Sequence, residues 1–180
     1  IGFVLSSGQP WWIFLLASFL AIVSKHLIQL NKKHLFKPAA LGIFLVIVLL
    51  GAQTQWRVTY LWYILLPAGL YFVYQIRKLE VIIGYGLASL SLFGIQAIIQ
   101  KTSLFNILGY LSYFYIFVML IEPKTTPIKP RGKFLFGVGV AVLIFILTEI
   151  GVRLDVELCA LLVLNLFTPL LNKIRDRRLI

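Results

Sequence analysis

Apolar residues gather into long runs separated by short polar, basic stretches, and this alternation fixes the first reading of the chain. Seven apolar segments can be drawn: Pro10–Ile28, Pro38–Ala52, Trp56–Gln75, Val81–Gln100, Leu104–Ile121, Lys133–Gly151 and Val156–Leu171. Most are near the roughly 20 residues that a helix needs to cross a bilayer. The second is shorter. Its 15 residues give a helix of about 22 Å against a hydrocarbon core of about 30 Å. It is expected to tilt under local thinning or to start or stop inside the membrane, where a broken helix must be buried in protein or line a cavity.

Composition agrees with this reading. Apolar residues are 61% of the 180-residue chain and mean hydropathy is +0.97, against about 45–50% apolar content in soluble domains. The expected fold is an all-α polytopic membrane bundle forming a single domain over residues 1–180. Ile1–Leu5 are expected as the tail of a preceding span.

The formal charge of +11 does not point to nucleic acid, because the basic residues are scattered between apolar runs rather than gathered on one domain. They orient the helices instead. With the loop after the first segment placed in the cytoplasm, 14 of the 17 Lys and Arg residues fall on that side. Only Arg57, Lys101 and Arg153 fall outside, which predicts an outer N-terminus and an inner C-terminus. Trp11, Trp12, Trp56 and Trp62 all lie at outer ends, as an aromatic belt requires. The expected location is a bacterial-type inner membrane, and the expected partners are the lipid bilayer and other membrane or soluble redox subunits.

Candidate chemistry is sparse. Cys159 is the single cysteine, so the chain has no internal disulfide and no thiolate cluster. His26 and His34 share one loop, and haem held between two facing helices has no second partner. Gly132-Lys133 lacks the remainder of a phosphate-binding loop, and Gly137-x-Gly139 inside a span reads as close helix packing. Glu149 and Arg153 stand four apart and are expected to pair on one helix face.

Three polar stretches remain. In the first, Pro38 suits the opening turn of a helix, and Lys37 beside the free N–H groups after it would make a positive pocket for an anion. The second, Glu122-Pro123-Lys124-Thr125-Thr126-Pro127, opens a proline-stiffened basic connector offering two hydroxyls. The third is Asn165-Leu166-Phe167-Thr168-Pro169-Leu170-Leu171, a kink with a free carbonyl near an amide. The first is read foremost as an ordinary loop and helix start, and the other two as readily as a stiff connector and a packed kink as parts of a ligand site.

Taken in order, these stretches resemble the NqrB/RnfD family, the large membrane subunits of the sodium-pumping NADH:quinone reductase and of the Rnf ferredoxin:NAD oxidoreductase. The resemblance rests on Trp11-Trp12, on Ala21-Ile22-Val23-Ser24-Lys25 closing a helix, and on His34-Leu35-Phe36-Lys37-Pro38-Ala39. It continues through Glu122–Pro127 and Asn165–Leu171. It implies a helical bundle of the kind seen in urea transporters. It also implies a flavin-handling role in electron transfer, with Lys25, Lys37, Pro38, Glu122, Thr125 and Asn165 as the cofactor-binding set at one cytoplasmic level. Lys37 replaces an Asn of the family pattern and Glu122 an Asp. Leu50-Gly51-Ala52-Gln53-Thr54 stands where family members carry a covalent-FMN threonine motif, so a non-covalent flavin, FMN or riboflavin, is expected in its place. No residue of the chain does redox chemistry by itself. A small-solute channel or transporter with a midplane site at Asn165 and Pro169, and an anchor for fused redox domains, are the alternatives.

Overall fold

The computed structural model describes residues 1–30, 33–34, 36–56, 61–101 and 112–174. Among them the chain is a membrane helix bundle. Its elements are α1 (Trp11–Leu27), a hairpin of β1 (Gln29–Leu30) and β2 (Lys33–His34), α2 (Pro38–Leu50), α3 (Trp62–Gln75) and α4 (Leu79–Ile99). A π-helical segment α5 (Tyr115–Leu120), α6 (Pro130–Glu149) and α7 (Val156–Leu171) complete it. The first part of the expected fifth span, residues 104–111, lies outside the described residues, and the remainder is seen leading into α5.

Where the structure departs from the sequence reading, local chemistry accounts for it. The basic stretch after α1 is folded back as a two-residue antiparallel ladder pairing Gln29 with His34 and Leu30 with Lys33. Residues Ile1–Leu5 form a turn in which Leu5 bridges Thr54, and Val4 and Leu5 are buried in the core. α6 begins three residues before the expected Lys133, because Pro130 occupies its first turn, where a missing N–H costs nothing. Glu149 does not pair with Arg153 among the described residues. α6 ends at Glu149 and Gly151 turns left-handed at φ 73°, which destroys the helical spacing the pair needs. Glu149 accepts instead from Gln96 of α4.

α4 and α6, of 21 and 20 residues, are long and apolar enough to cross a bilayer, while α1, α2 and α7 are shorter apolar helices. α2 keeps only 13 residues, in keeping with the short second segment. Helices pair as α1 with α2, α4 with α6, and α6 with α7, and α2 also meets α7. The α4–α6 crossing is very close: a Cβ on Gly137 would lie 2.1 Å from the Val81 carbonyl, and one on Gly84 2.3 Å from the Phe134 carbonyl. The core lies between these pairs, with Ile43, Val46, Tyr115, Leu120, Phe136, Val140, Leu158 and Leu161 essentially inaccessible. Leu, Ile and Phe side chains on the outward faces, such as Leu15, Phe19, Leu87 and Ile98, are left exposed, as lipid-facing positions are.

Candidate functional site

The helix ends sort onto two levels. At one end, Leu5 meets Thr54, and Asp155 gathers α7 and the stretch after α2. Asp155 caps α7 by accepting from Leu158 N at 3.0 Å, and its Oδ2 takes Thr54 Oγ1 at 2.7 Å and Trp56 Nε1 at 3.0 Å. At the other end lie the basic loops, and the polar network there is denser.

Its centre is Lys37, which precedes Pro38 at the start of α2 with an extended backbone. The Lys37 side chain crosses to the end of α5, donating to the carbonyls of Val118 at 2.8 Å and Met119 at 3.4 Å. Its ammonium stands 3.2 Å from Glu122 Oε2. Burial pushes the Lys37 ammonium below its ordinary pKa, and the adjacent Glu122 charge pulls it part of the way back. The ammonium thus stands among two carbonyls and a carboxylate and holds α2 to α5.

Beyond Glu122 the chain turns through Thr126, whose hydroxyl donates to the Glu122 carbonyl at 2.9 Å. The neighbouring Thr125 is turned inward. Its carbonyl accepts from Thr168 of α7 at 2.9 Å, while its own hydroxyl is buried without a hydrogen-bond partner among the described residues. Asn165 lies one turn before Thr168 on α7, is wholly inaccessible, and leaves both side-chain amide atoms unpartnered among the described residues. A buried amide in apolar surroundings costs about 1–3 kcal/mol when its hydrogen bonds are unmade, so Asn165 and Thr125 together present unused donors and acceptors.

Of the six expected site residues, the structure therefore joins Lys37 directly to Glu122 and links the Thr125 backbone to the Asn165 face of α7. Pro38 starts α2 beside them. Lys25 lies exposed in the last turn of α1, at the same end of the bundle but outside the buried cluster.

Sequence reasoning missed a second basic pair. Lys78, buried at the start of α4, donates to the Pro127 carbonyl at 2.8 Å, and Lys133 of α6 donates to the Arg77 carbonyl at 2.5 Å and lies 3.3 Å from Glu80. Burial first, and the Lys133 charge second, push the Lys78 ammonium down to about 8. In the sequence both lysines read only as orienting charge. Their position at the ends of short connections between apolar runs was the available signal, since a short turn between two spans leaves its lysines near the carbonyls of the neighbouring loop. Asp155 was also legible, as an acid directly before an apolar helical run.

The model of the NQR2, RnfD, RnfE family matches residues 61–180, two of the three polar stretches included. The chain belongs to this family. A relative from Shewanella amazonensis, the D component of an ion-translocating oxidoreductase complex, is 31% identical over 80 residues. That match takes in 44% of this chain and 23% of the relative, so the chain is matched over less than a quarter of that protein's length. Glu122, Thr125 and Asn165 lie inside the family match, whereas Lys25, Lys37 and Pro38 precede it.

Proposed function

We propose that this NQR2/RnfD/RnfE-family chain is a membrane subunit of an ion-translocating oxidoreductase complex, seated in a bacterial inner membrane with its Lys37–Glu122 end toward the cytoplasm. In this reading it passes electrons between a flavin and partner redox proteins. The observation that carries it is the pair of unused polar groups, the Asn165 amide and the Thr125 hydroxyl, buried at the basic end of an otherwise apolar bundle.

These groups fit one part of a flavin. An isoalloxazine ring alternates carbonyl acceptors with an N–H donor along one edge, and an amide that both donates and accepts, beside a hydroxyl, is complementary to that edge. A flavin phosphate is less well served, because the Lys37 ammonium is already engaged by Val118, Met119 and Glu122. The fit therefore favours a non-covalent flavin held by its ring. When bound, the flavin supplies one- and two-electron redox chemistry that the side chains lack. The chain's own part is to orient the ring edge through Asn165 and Thr125, while Lys37–Glu122 closes the bundle beside it. Thr54, the hydroxyl nearest the expected covalent-attachment region, is engaged by Asp155.

The test is to purify the chain in mild detergent from flavin-replete cells, with and without the complex's other subunits. Yellow protein that releases its flavin on acid precipitation, and loses it in Asn165→Leu, is the expected result. Colourless protein in both preparations, together with solute flux in proteoliposomes, would favour a channel instead. Orientation is read separately by impermeant maleimide on a Cys159→Ser background. Arg153→Cys should label from outside and Lys124→Cys should not.

A further inference from the structure

Two acids open α7, Asp155 at its cap and Glu157 in its first turn. Asp155 is engaged by Leu158, Thr54 and Trp56. Glu157 is not. The residue is partly exposed at the Asp155 end of the bundle, yet its Oε2 is sealed from solvent with no hydrogen-bond partner among the described residues.

A second unused oxygen belongs to Tyr115 of α5. That side chain is wholly inaccessible, and its hydroxyl has no hydrogen-bond partner among the described residues. Its ring stands 6.2 Å from that of Tyr85 on α4 and 5.8 Å from that of Trp56, whose indole already reaches Asp155. Ring contacts therefore lead from the α7 cap inward to Tyr115. The Glu157 carboxyl acts electrostatically on both phenols. Ser89, buried one turn on from Tyr85 along α4, sets its hydroxyl beside the Tyr85 phenol. Side chains of α4, α5 and α7 thus share one buried polar patch. The charge acting on Glu157 there is another acid, Asp155, and no Lys or Arg pairs with Glu157 among the described residues.

A carboxylate in an apolar interior with no cation beside it is costly, and such a group takes up a neutralising charge. A hard metal cation gathers about six oxygens. A proton needs a single acceptor and can be passed among hydroxyls, which both donate and accept. We infer that Glu157 is a proton-exchanging acid, open to solvent at the Asp155 end and coupled inward to the Tyr115 hydroxyl through the patch it shares with Tyr85 and Ser89. The exchange forms one O–H bond on Glu157 and breaks one in an outside hydronium, and no electron moves. No flavin enters into it.

The test is carbodiimide labelling of the full chain in proteoliposomes, mapped by peptide mass spectrometry, with the infrared carbonyl band of the carboxylic acid as a reading that needs no reagent access. Dicyclohexylcarbodiimide enters apolar surroundings, where a protonated carboxyl adds across one of its C=N bonds and leaves a stable acylurea with no by-product. Glu157 should label at acid pH and lose the label by about tenfold per pH unit above its midpoint. Glu157→Gln should remove both label and band. Tyr115→Phe keeps the ring but removes a hydroxyl that stabilises the carboxylate, and should raise the midpoint by about one pH unit. Replacing choline by sodium at constant ionic strength should change nothing. Suppression of the label by sodium would show a metal-ion site and overturn the inference. So would an unmoved midpoint in Tyr115→Phe, or the absence at acid pH of a carbonyl band that depends on Glu157.

Discussion

Gly137→Ala should cripple the bundle, while Gly139→Ala, two residues away on the same helix, should not. A Cβ on Gly137 would sit 2.1 Å from the Val81 carbonyl and 2.8 Å from the Tyr85 nitrogen, both backbone atoms of α4. Neither can turn aside as a side chain can. Reaching even a tight 3.0 Å requires α4 and α6 to part by about 0.9 Å. Between membrane helices no hydrophobic force compensates, because lipid is as apolar as leucine, so van der Waals contact is what the crossing stands to lose. Val81, Tyr85 and Val140 are buried close to this crossing, and a buried side chain of that size makes about 40–60 contacts of about 0.1–0.2 kcal/mol each. If about half of those cross the interface, a gap approaching 1 Å forfeits about a quarter to a half of them. After relaxation the loss is about 2–4 kcal/mol, at or above the upper part of the range for overpacked cores. At Gly139 the added Cβ meets only the Leu164 side chain, Cδ1 at 2.9 Å and Cγ at 3.6 Å, whose flexible tip can move, and the better helix propensity of alanine returns about 1 kcal/mol. Reversible unfolding of both variants in bicelles, followed by circular dichroism, gives the comparison. Equal stabilities would show that α4 and α6 do not cross through Gly137.

Three further outcomes follow from the polar ends. Lys37→Met leaves the half-buried Glu122 carboxylate without its partner and should destabilise by about 2–3 kcal/mol, below the full value for a deeply buried pair because Glu122 is partly solvated; the double variant Lys37→Met/Glu122→Leu should recover part of this in the same unfolding assay, and no recovery would show that the two are not coupled. The Lys78 ammonium is held at about 8 against 10.5 for an ordinary lysine, so between those values the unfolded chain binds more protons. Stability should therefore climb from about pH 8 to 10.5 and the gain should vanish as pH falls through 8; Lys78→Met should remove this component from the unfolding-versus-pH profile. Asp155→Ala removes the α7 cap and the acceptor of Thr54 and Trp56, costing about 2–3 kcal/mol and changing Trp56 emission, whereas Asp155→Asn, which can still cap, should cost less.

The bundle was legible because the bilayer imposes one strong rule, that backbone polar groups be satisfied inside each segment. Apolar runs thus marked α1, α2, α4, α6 and α7 to within a few residues, and Pro38 fixed the start of α2 to the residue. Charge gave the two levels, since Lys37, Lys78 and Lys133 all meet carbonyls or carboxylates at one end and Asp155 and Glu149 act at the other. Lateral neighbours were not legible. Which helix faces which depends on close approaches such as Gly137 against Val81, and a glycine in an apolar run does not say what backbone it will meet. The i,i+4 rule misplaced Glu149 for a related reason: it holds only while the helix continues, and Gly151 ends it.

That distinction bears on the site. A lysine at a membrane surface is cheap, so its presence in sequence carries little information, and an anion pocket at Lys37 follows from the residue's charge alone. In the fold that charge is consumed by Val118, Met119 and Glu122, and its work is to join α2 to α5. Asn165 is the reverse case. Its uncharged amide inside α7 looks equally like packing or binding in the sequence, yet in the structure it is wholly inaccessible with its amide donor and its carbonyl acceptor both unused among the described residues. In a bundle where cations are spent on structure, a neutral group left unsatisfied in an apolar interior is the stronger pointer to a ligand. The decisive comparison is thus Asn165→Leu against Lys37→Met. Asn165→Leu should keep or raise stability and abolish flavin retention, whereas Lys37→Met should weaken the fold, and a chain that keeps its flavin in Asn165→Leu would return the site to the charged residues.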